Sequence, residues 1–231
     1  MTVISNIIEP NRLLLSWQPM SDDQNRTRCV VGEILRQDDN YILRYLVDSN
    51  DFRLALESNF TFYPAFRDTA KDHTSGVLET FMLRLPPRKR EDFRNFLQSL
   101  RLPPDATISD FALLGYSEAR LPGDGFSIIN PFDNAPAPCQ FLSEVAGYRY
   151  YPGPSMNIQI GEPVTFEADP ENKYDPMAIK IMLRGELIGY VNRCQTAPFH
   201  QWMLNNNLHA AIEKINGTPT KPRLLLFVEV S

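Results

Sequence analysis

The stretch from residue 147 to residue 153 reads GYRYYPG, and the stretch from residue 169 to residue 181 reads DPENKYDPMAIKI. The first contains three tyrosines and an arginine at consecutive positions. The second brackets Asn172, Tyr174 and Asp175 between two Asp-Pro pairs, which favour turns, and runs into an apolar strand-like segment. No hydrophobic core requires this combination, so both stretches are typical of a recognition surface.

The residues around these stretches are predicted to be mostly strand. Apolar alternation and β-branched residues predict strands at Ser143–Tyr151, Val164–Ala168, Ala178–Leu183, Glu186–Val191 and Leu224–Val230. Arg184 and Gly185 predict a tight hairpin turn. Helices are predicted at Thr196–Asn205 and Leu208–Ile215. Several short strands with a helical insert are typical of an OB-like β-barrel.

The N-terminal part of the chain predicts an α+β module. Arg12–Trp17, Cys29–Leu35 and Tyr41–Val47 are strand-like, and the last two are joined by a polar turn as a hairpin. Lys89–Leu100 has the apolar spacing of an amphipathic helix, and Ser109 or Asp110 could cap another helix that runs through Tyr116.

The boundary between these parts is predicted at a proline-rich segment. Three prolines lie between residues 130 and 138, and such a segment continues neither a helix nor a central strand. The sequence therefore predicts an α+β protein of two domains: residues 1–130 as an interaction module, 131–139 as a linker, and 140–231 as the OB-like barrel.

Composition limits the function classes. The net charge of −5 argues against general binding to a phosphate backbone, so any nucleic-acid contact must be local and rely on stacking. Three dispersed cysteines and three histidines predict no metal site, disulfide framework or catalytic triad. We expect a non-catalytic protein without a cofactor. The absence of a signal peptide and of a long apolar run predicts no membrane association and, by default, a cytoplasmic location.

The order and spacing of the blocks at 147–153, 161–164, 169–181 and 189–190 resemble the HIRAN domain, over roughly residues 140–231. This resemblance implies an OB-like barrel that grips the 3′ end of single-stranded DNA. It implies base contacts for Tyr150 and Tyr151 and a phosphate or base contact for Arg149. Without the resemblance, composition favours the alternative that the two tyrosines are packing residues that cover the barrel.

The same resemblance implies that Asp175 accepts a hydrogen bond from the terminal sugar hydroxyl, while its charge repels a continuing phosphate. Asn172 and Tyr174 would position the last nucleotide, and family members often carry Asn where this chain has Met177. The alternative is that Asp175 only satisfies its own turn backbone.

Three further residues are candidates for the same DNA site. Tyr190 follows Gly189, which permits a close backbone approach, and Arg193 opens a helix where an anion could bind. Arg193 could equally be an ordinary surface residue. Phe227 could line the pocket, but its apolar surroundings also suit a core position.

The N-terminal part more faintly resembles the N-terminal subdomain of HipA-type kinases, which bacteria also place beside HIRAN domains. The matching segments include residues 41–46, 63–66, 81–86, 110–114 and 123–126, and Glu118-Ala119-Arg120 stands where related segments usually read Gly-Gly-Arg. This resemblance implies an accessory module that couples DNA-end binding to a HipA-like kinase or a DNA-processing enzyme encoded elsewhere.

Three other interpretations stay open. The chain could be an antitoxin-like regulatory subunit of a HipA-like kinase that binds no DNA. A metal-dependent nuclease would need carboxylates converging on Lys173, beside Glu171. The run from Arg84 to Arg101 contains five arginines and one lysine, and could be a solvated helix face or a surface that binds a partner or phosphates.

Overall fold

A computed structural model describes residues 2–20, 27–151, 155–205, 207–218 and 221–231. By its internal contacts the chain divides into two compact units. The N-terminal unit contains residues 9–100 and 104–131, and the C-terminal unit contains residues 2–8, 101–103 and 132–231. Residues 2–8 and 101–103 fall within the predicted N-terminal module but belong to the C-terminal unit, so the units are less contiguous than the prediction.

The part of the N-terminal unit that the structure describes is a four-stranded antiparallel sheet with four short helices. Its strands follow the order β3-β2-β1-β4, and the β2–β3 pair is the predicted hairpin. The elements are β1 (Arg12–Trp17), β2 (Cys29–Gln37), β3 (Asn40–Tyr45), α1 (Asn50–Glu57), α2 (Val77–Met82), α3 (Phe93–Ser99), α4 (Asp110–Ser117) and β4 (Phe126–Ile129).

Local capping explains two of these helices. The Ser109 hydroxyl accepts a hydrogen bond from the Ala112 amide at 3.0 Å, and the Ser49 hydroxyl accepts one from the Phe52 amide at 3.0 Å. Each satisfies an amide that the first helical turn leaves unpaired. The helix predicted at Lys89–Leu100 begins only at Phe93, which buries its ring together with Leu97.

The basic run from Arg84 to Arg101 is largely paired with nearby acceptors. Arg84 is buried and donates to Asp124, to the Tyr63 hydroxyl and to two backbone carbonyls. Arg88 pairs with Asp110, Arg90 with Asp92, and Arg101 with Glu213. The Arg84 side chain is thus a buried, hydrogen-bonded part of the N-terminal unit and not part of a solvated surface.

Over its described residues, the C-terminal unit is a curled, six-stranded antiparallel sheet with one α-helix. The strand order is β5-β10-β9-β6-β7-β8. Its elements are β5 (Cys139–Glu144), β6 (Pro163–Ala168), β7 (Ile179–Leu183), β8 (Glu186–Tyr190), α5 (Thr196–Leu204), β9 (Leu208–Thr218) and β10 (Lys221–Val230), with 3-10 helices at Tyr148–Tyr150 and Arg193–Gln195. Phe199 and Trp202 of α5 pack on Phe141 of β5.

Two sequence predictions are wrong here. The strand predicted over Ser143–Tyr151 ends at Glu144, and a 3-10 helix follows after Gly147, whose φ of 75° turns the chain. The helix predicted at Leu208–Ile215 is part of β9, which pairs with both β10 and β6. Pairing on two sides outweighs the helix propensity of this Ala- and Glu-containing segment.

The predicted linker region also takes part in the C-terminal unit. The Phe132 ring stacks on Phe141 with 4.1 Å between centroids, and Cys139 begins β5. The side chain of Gln140 accepts hydrogen bonds from Ser5 and from the Asn6 amide. Residues 2–8 therefore line the outer edge of β5.

The two edge strands of the C-terminal sheet meet at one point. Ala146, two residues beyond β5, exchanges both backbone hydrogen bonds with Tyr190 at the end of β8, at 2.8 and 2.9 Å. The residue before Tyr190 must be a glycine. A Cβ on Gly189 would lie 2.5 Å from the Ala146 carbonyl oxygen and 2.5 Å from Val145 Cγ1. Gly189 also has a φ of 147°, which disfavours other residues.

None of the helices within the described residues has the length and apolar character needed to cross a bilayer.

We expect Gly189→Ala to lower the free energy of unfolding by about 3 kcal/mol, because the new methyl group forces the closing bridge apart. Gly185→Ala is the control: Gly185 also has a positive φ, but nothing lies within 4 Å of the position that an added Cβ would occupy. That variant should cost only about 1 kcal/mol. Urea unfolding measures both, and equal losses would contradict the importance of the close contact.

Candidate nucleic-acid interface

The segment from Gly147 to Tyr151 presents its aromatic side chains in different ways. Tyr148 is buried, whereas Tyr150 is 70% exposed and Tyr151 is half-buried. The Arg149 guanidinium lies over the Tyr150 ring, 4.5 Å from its centroid, and donates to the Tyr150 hydroxyl. The 3-10 helix Tyr148–Tyr150, and not the alternation of side chains along a strand, exposes Tyr150.

Tyr151 lies beside Tyr190. Their ring centroids are 5.8 Å apart and the planes are tilted by 57°. The Ala146–Tyr190 bridge fixes this neighbourhood, because it joins the strand that bears Tyr190 to the chain just before the aromatic segment. Two half-buried rings thus form an aromatic surface at the closed edge of the sheet.

Asp169 connects Tyr190 to the predicted recognition loop. Its Oδ2 accepts hydrogen bonds from the Tyr190 hydroxyl and from Asn172 Nδ2, both at 3.0 Å, and its Oδ1 pairs with Lys180 Nζ at 3.0 Å. Asp169 follows β6 directly, and its amide donates to the carbonyl of Ala178, the residue just before β7. The β6–β7 pairing therefore holds both ends of the loop.

The loop itself is ordered by side chains that bind its own backbone. Asn172 Oδ1 accepts from the amides of Tyr174 at 3.0 Å and Asp175 at 3.2 Å. Asp175 Oδ1 accepts from the Met177 amide at 2.9 Å. The Tyr174 side chain, in contrast, is 96% exposed. The local turn role considered for Asp175 is therefore present in the structure, and it engages one of the two carboxylate oxygens.

These contacts shift two ionisation equilibria. The hydrogen bond from Asn172, followed by that from Lys180, holds the pKa of the Asp169 carboxyl below its ordinary 3.8. Burial, followed by the hydrogen bond to Asp169, raises the pKa of the Tyr190 hydroxyl above its ordinary value. At neutral pH Asp169 is an anion and Tyr190 a neutral donor, which is the pairing that their hydrogen bond requires.

The remaining candidates lie elsewhere in the unit. Arg193 is exposed at the start of the 3-10 helix Arg193–Gln195, where the Asn192 side chain accepts from the Cys194 amide. Phe227 does not line the predicted pocket. It lies in β10, is only 6% exposed and belongs to the core. A ring buried in this way offers no face for a base to stack on.

Sequence reasoning missed the central residue, Asp169. Asp169 lies directly after β6, two residues beyond Glu167, which is the residue opposite Lys180, so no short motif marks it. The structure thus joins Tyr190, Asn172 and Lys180 through one residue, which the sequence marks only as part of a turn.

The comparison with protein-family models supports the assignment of the C-terminal segment. Residues 140–230 match the HIRAN domain, which confirms the resemblance for that segment. Among solved structures, the HIRAN domain of human HLTF is 22% identical with a TM-score of 0.32, covering 39% of this chain and 74% of that one. A protein from Lactobacillus plantarum is 21% identical with a TM-score of 0.32, covering 39% of this chain and 92% of its own.

The search of curated proteins found no match. The HipA-type resemblance of the N-terminal part finds no support in these comparisons.

We expect Asn172→Ala and Lys180→Met each to raise the pKa of Asp169 towards its ordinary value, because each removes a donor to the charged form. Carboxyl NMR titration measures the change. Since the folded-state pKa is lowered, the stability that Asp169 contributes is present above its unfolded pKa and is lost as pH falls through the folded value. An unchanged pKa in both variants would contradict the network.

Proposed function

We propose that the C-terminal unit binds the 3′ end of single-stranded DNA and acts by binding, without catalysis. The HIRAN match over residues 140–230 supports a nucleic-acid-binding role. The feature that carries the proposal is the Tyr151–Tyr190 ring pair beside the Asp169-anchored loop. It combines an aromatic surface with a preformed turn that bears a carboxylate.

Stacking supplies most of the proposed affinity. Every base has a π-face, so aromatic side chains bind single strands without sequence preference, at roughly 1–3 kcal/mol per base. Tyr151 and the exposed Tyr150 are the stacking residues. Arg149 already lies on one side of the Tyr150 ring, so a base stacks on the other side, or Arg149 swings away to a phosphate.

Asp175 supplies the proposed selection for a free end. One of its oxygens binds the Met177 amide, which holds the carboxylate in place, and the other is the proposed acceptor for a terminal hydroxyl. A phosphate at the same position would meet this negative charge. Asn172 and Tyr174 lie in the same turn and would position the last nucleotide.

A partner enzyme, contacted through the N-terminal unit, would supply any chemistry. Leu56 of α1 is 49% exposed and Leu83, after α2, is 85% exposed, and a partner could cover both side chains.

We expect tight binding to an oligonucleotide with a 3′-hydroxyl and weak binding to its 3′-phosphate form, measured by fluorescence anisotropy at low salt. Tyr151→Ala should weaken hydroxyl-end binding by roughly 5- to 150-fold, the equivalent of one lost stacking contact. Phe62→Ala, which removes a partly exposed ring from the N-terminal unit, is the matched control and should bind as the wild type does.

We expect Asp175→Asn to abolish the preference for the hydroxyl end, because the amide oxygen can still accept from the Met177 amide while the negative charge is lost. The ratio of the two dissociation constants is the measurement. If the wild type binds neither oligonucleotide, the DNA proposal is wrong, and a regulatory role through protein contacts becomes the better explanation. An unchanged ratio in the variant would show that Asp175 does not select the free end, and it would leave the proposal of DNA binding intact.

A further inference from the structure

The turn that carries Asp175 is held to the rest of the C-terminal unit from two sides. On the first side, Asp169 accepts a hydrogen bond from the Tyr190 hydroxyl, at the end of β8. On the second side, Nε2 of His200 lies 3.1 Å from the backbone carbonyl oxygen of Met177, two residues after Asp175. His200 belongs to α5, so this contact joins the turn to a helix that lies 23 positions further along the chain.

The chemistry of the two atoms fixes which one donates. A carbonyl oxygen has lone pairs but no proton, so the imidazole nitrogen must supply the hydrogen. His200 therefore carries a proton on Nε2 while it makes this bond. The Met177 amide meanwhile donates to Oδ1 of Asp175 at 2.9 Å. The backbone of Met177 thus connects the Asp175 carboxylate to His200 through two consecutive hydrogen bonds.

The helix that bears His200 is a firm support for this contact. Phe199, the residue before it, is fully buried, and Trp202 is buried as well. The Phe199 ring packs edge-on against Phe166 of β6, with 5.3 Å between the ring centroids. Because β6 leads directly into Asp169, α5 contacts the strand before the turn and, through His200, the backbone near the end of the turn.

We propose that His200 is a positioning residue for the Asp175 carboxylate in the DNA-end site. The proposal rests on the proposed function and adds to it a residue outside the turn. The hydrogen bonds within the turn set its shape, whereas His200 holds that shape in place relative to α5. A terminal hydroxyl binds well only if its acceptor oxygen is already in position, so loss of this contact weakens selection of the free end more than it weakens stacking.

The test compares two substitutions of His200. His200→Leu removes the donor, whereas His200→Gln keeps an amide donor at a similar reach. We expect His200→Leu to weaken binding of the 3′-hydroxyl oligonucleotide by about 2- to 10-fold, the equivalent of one hydrogen bond. Binding of the 3′-phosphate form should not change, because it relies on the stacking tyrosines. His200→Gln should keep the wild-type ratio of the two dissociation constants, measured by fluorescence anisotropy.

Amide hydrogen exchange tests the same contact without DNA. The amides of Met177 and Ala178 donate to the side chain and to the carbonyl of Asp175, respectively. In His200→Leu both amides should exchange about 2- to 10-fold faster, and in His200→Gln at the wild-type rate. His209→Leu makes the same chemical change at an exposed histidine of β9 and should alter neither measurement. Thermal unfolding verifies that each variant is folded.

The outcomes distinguish the two proposals. If His200→Leu keeps the wild-type preference for the hydroxyl end, or if His200→Gln loses it to the same extent, the positioning role is overturned and end binding stands. If His200→Leu weakens binding of both oligonucleotides equally, His200 supports the unit in general and its positioning role is again overturned. If the wild type binds neither oligonucleotide, both proposals are overturned, whatever the exchange rates are.

Discussion

The closing bridge between Ala146 and Tyr190 is the constraint on which the C-terminal unit depends. It joins the two edges of a curled sheet through one pair of backbone hydrogen bonds, and it needs a residue without a side chain at position 189. The same residue, Tyr190, places its ring beside Tyr151 and its hydroxyl on Asp169. The contact that completes the fold therefore also assembles the candidate interface, so a change that loosens one disturbs the other.

Sequence patterns predicted the parts of the fold in which local signals and tertiary pairing agree. The β7–β8 hairpin, the β2–β3 hairpin and the Ser109 cap follow directly from turn and capping residues. The predictions of a strand at 143–151 and of a helix at 208–215 are wrong for opposite reasons. A glycine with positive φ ended the first strand early, and pairing with two neighbours made a strand of the second despite its helical composition.

The candidate interface was predictable in its residue types but not in its connections. The exposed Tyr150 and the Asn172 turn could be read from short motifs. Asp169 could not, because its importance comes from three donors that are 3, 11 and 21 positions away along the chain. Phe227 shows the converse limit: an apolar strand residue looks the same in the sequence whether its ring lines a groove or fills the core.

The discontinuous path of the chain has a consequence for how this domain can be dissected. The segment that recurs in other proteins covers residues 140–230, but the compact unit also includes residues 2–8 and 101–103. A fragment cut at the family boundary would expose the edge of β5 by removing Ser5 and Asn6 from Gln140, and would leave the largely buried Glu213 without Arg101. Weak binding or poor solubility of such a fragment would therefore reflect the missing segments rather than a defective DNA site.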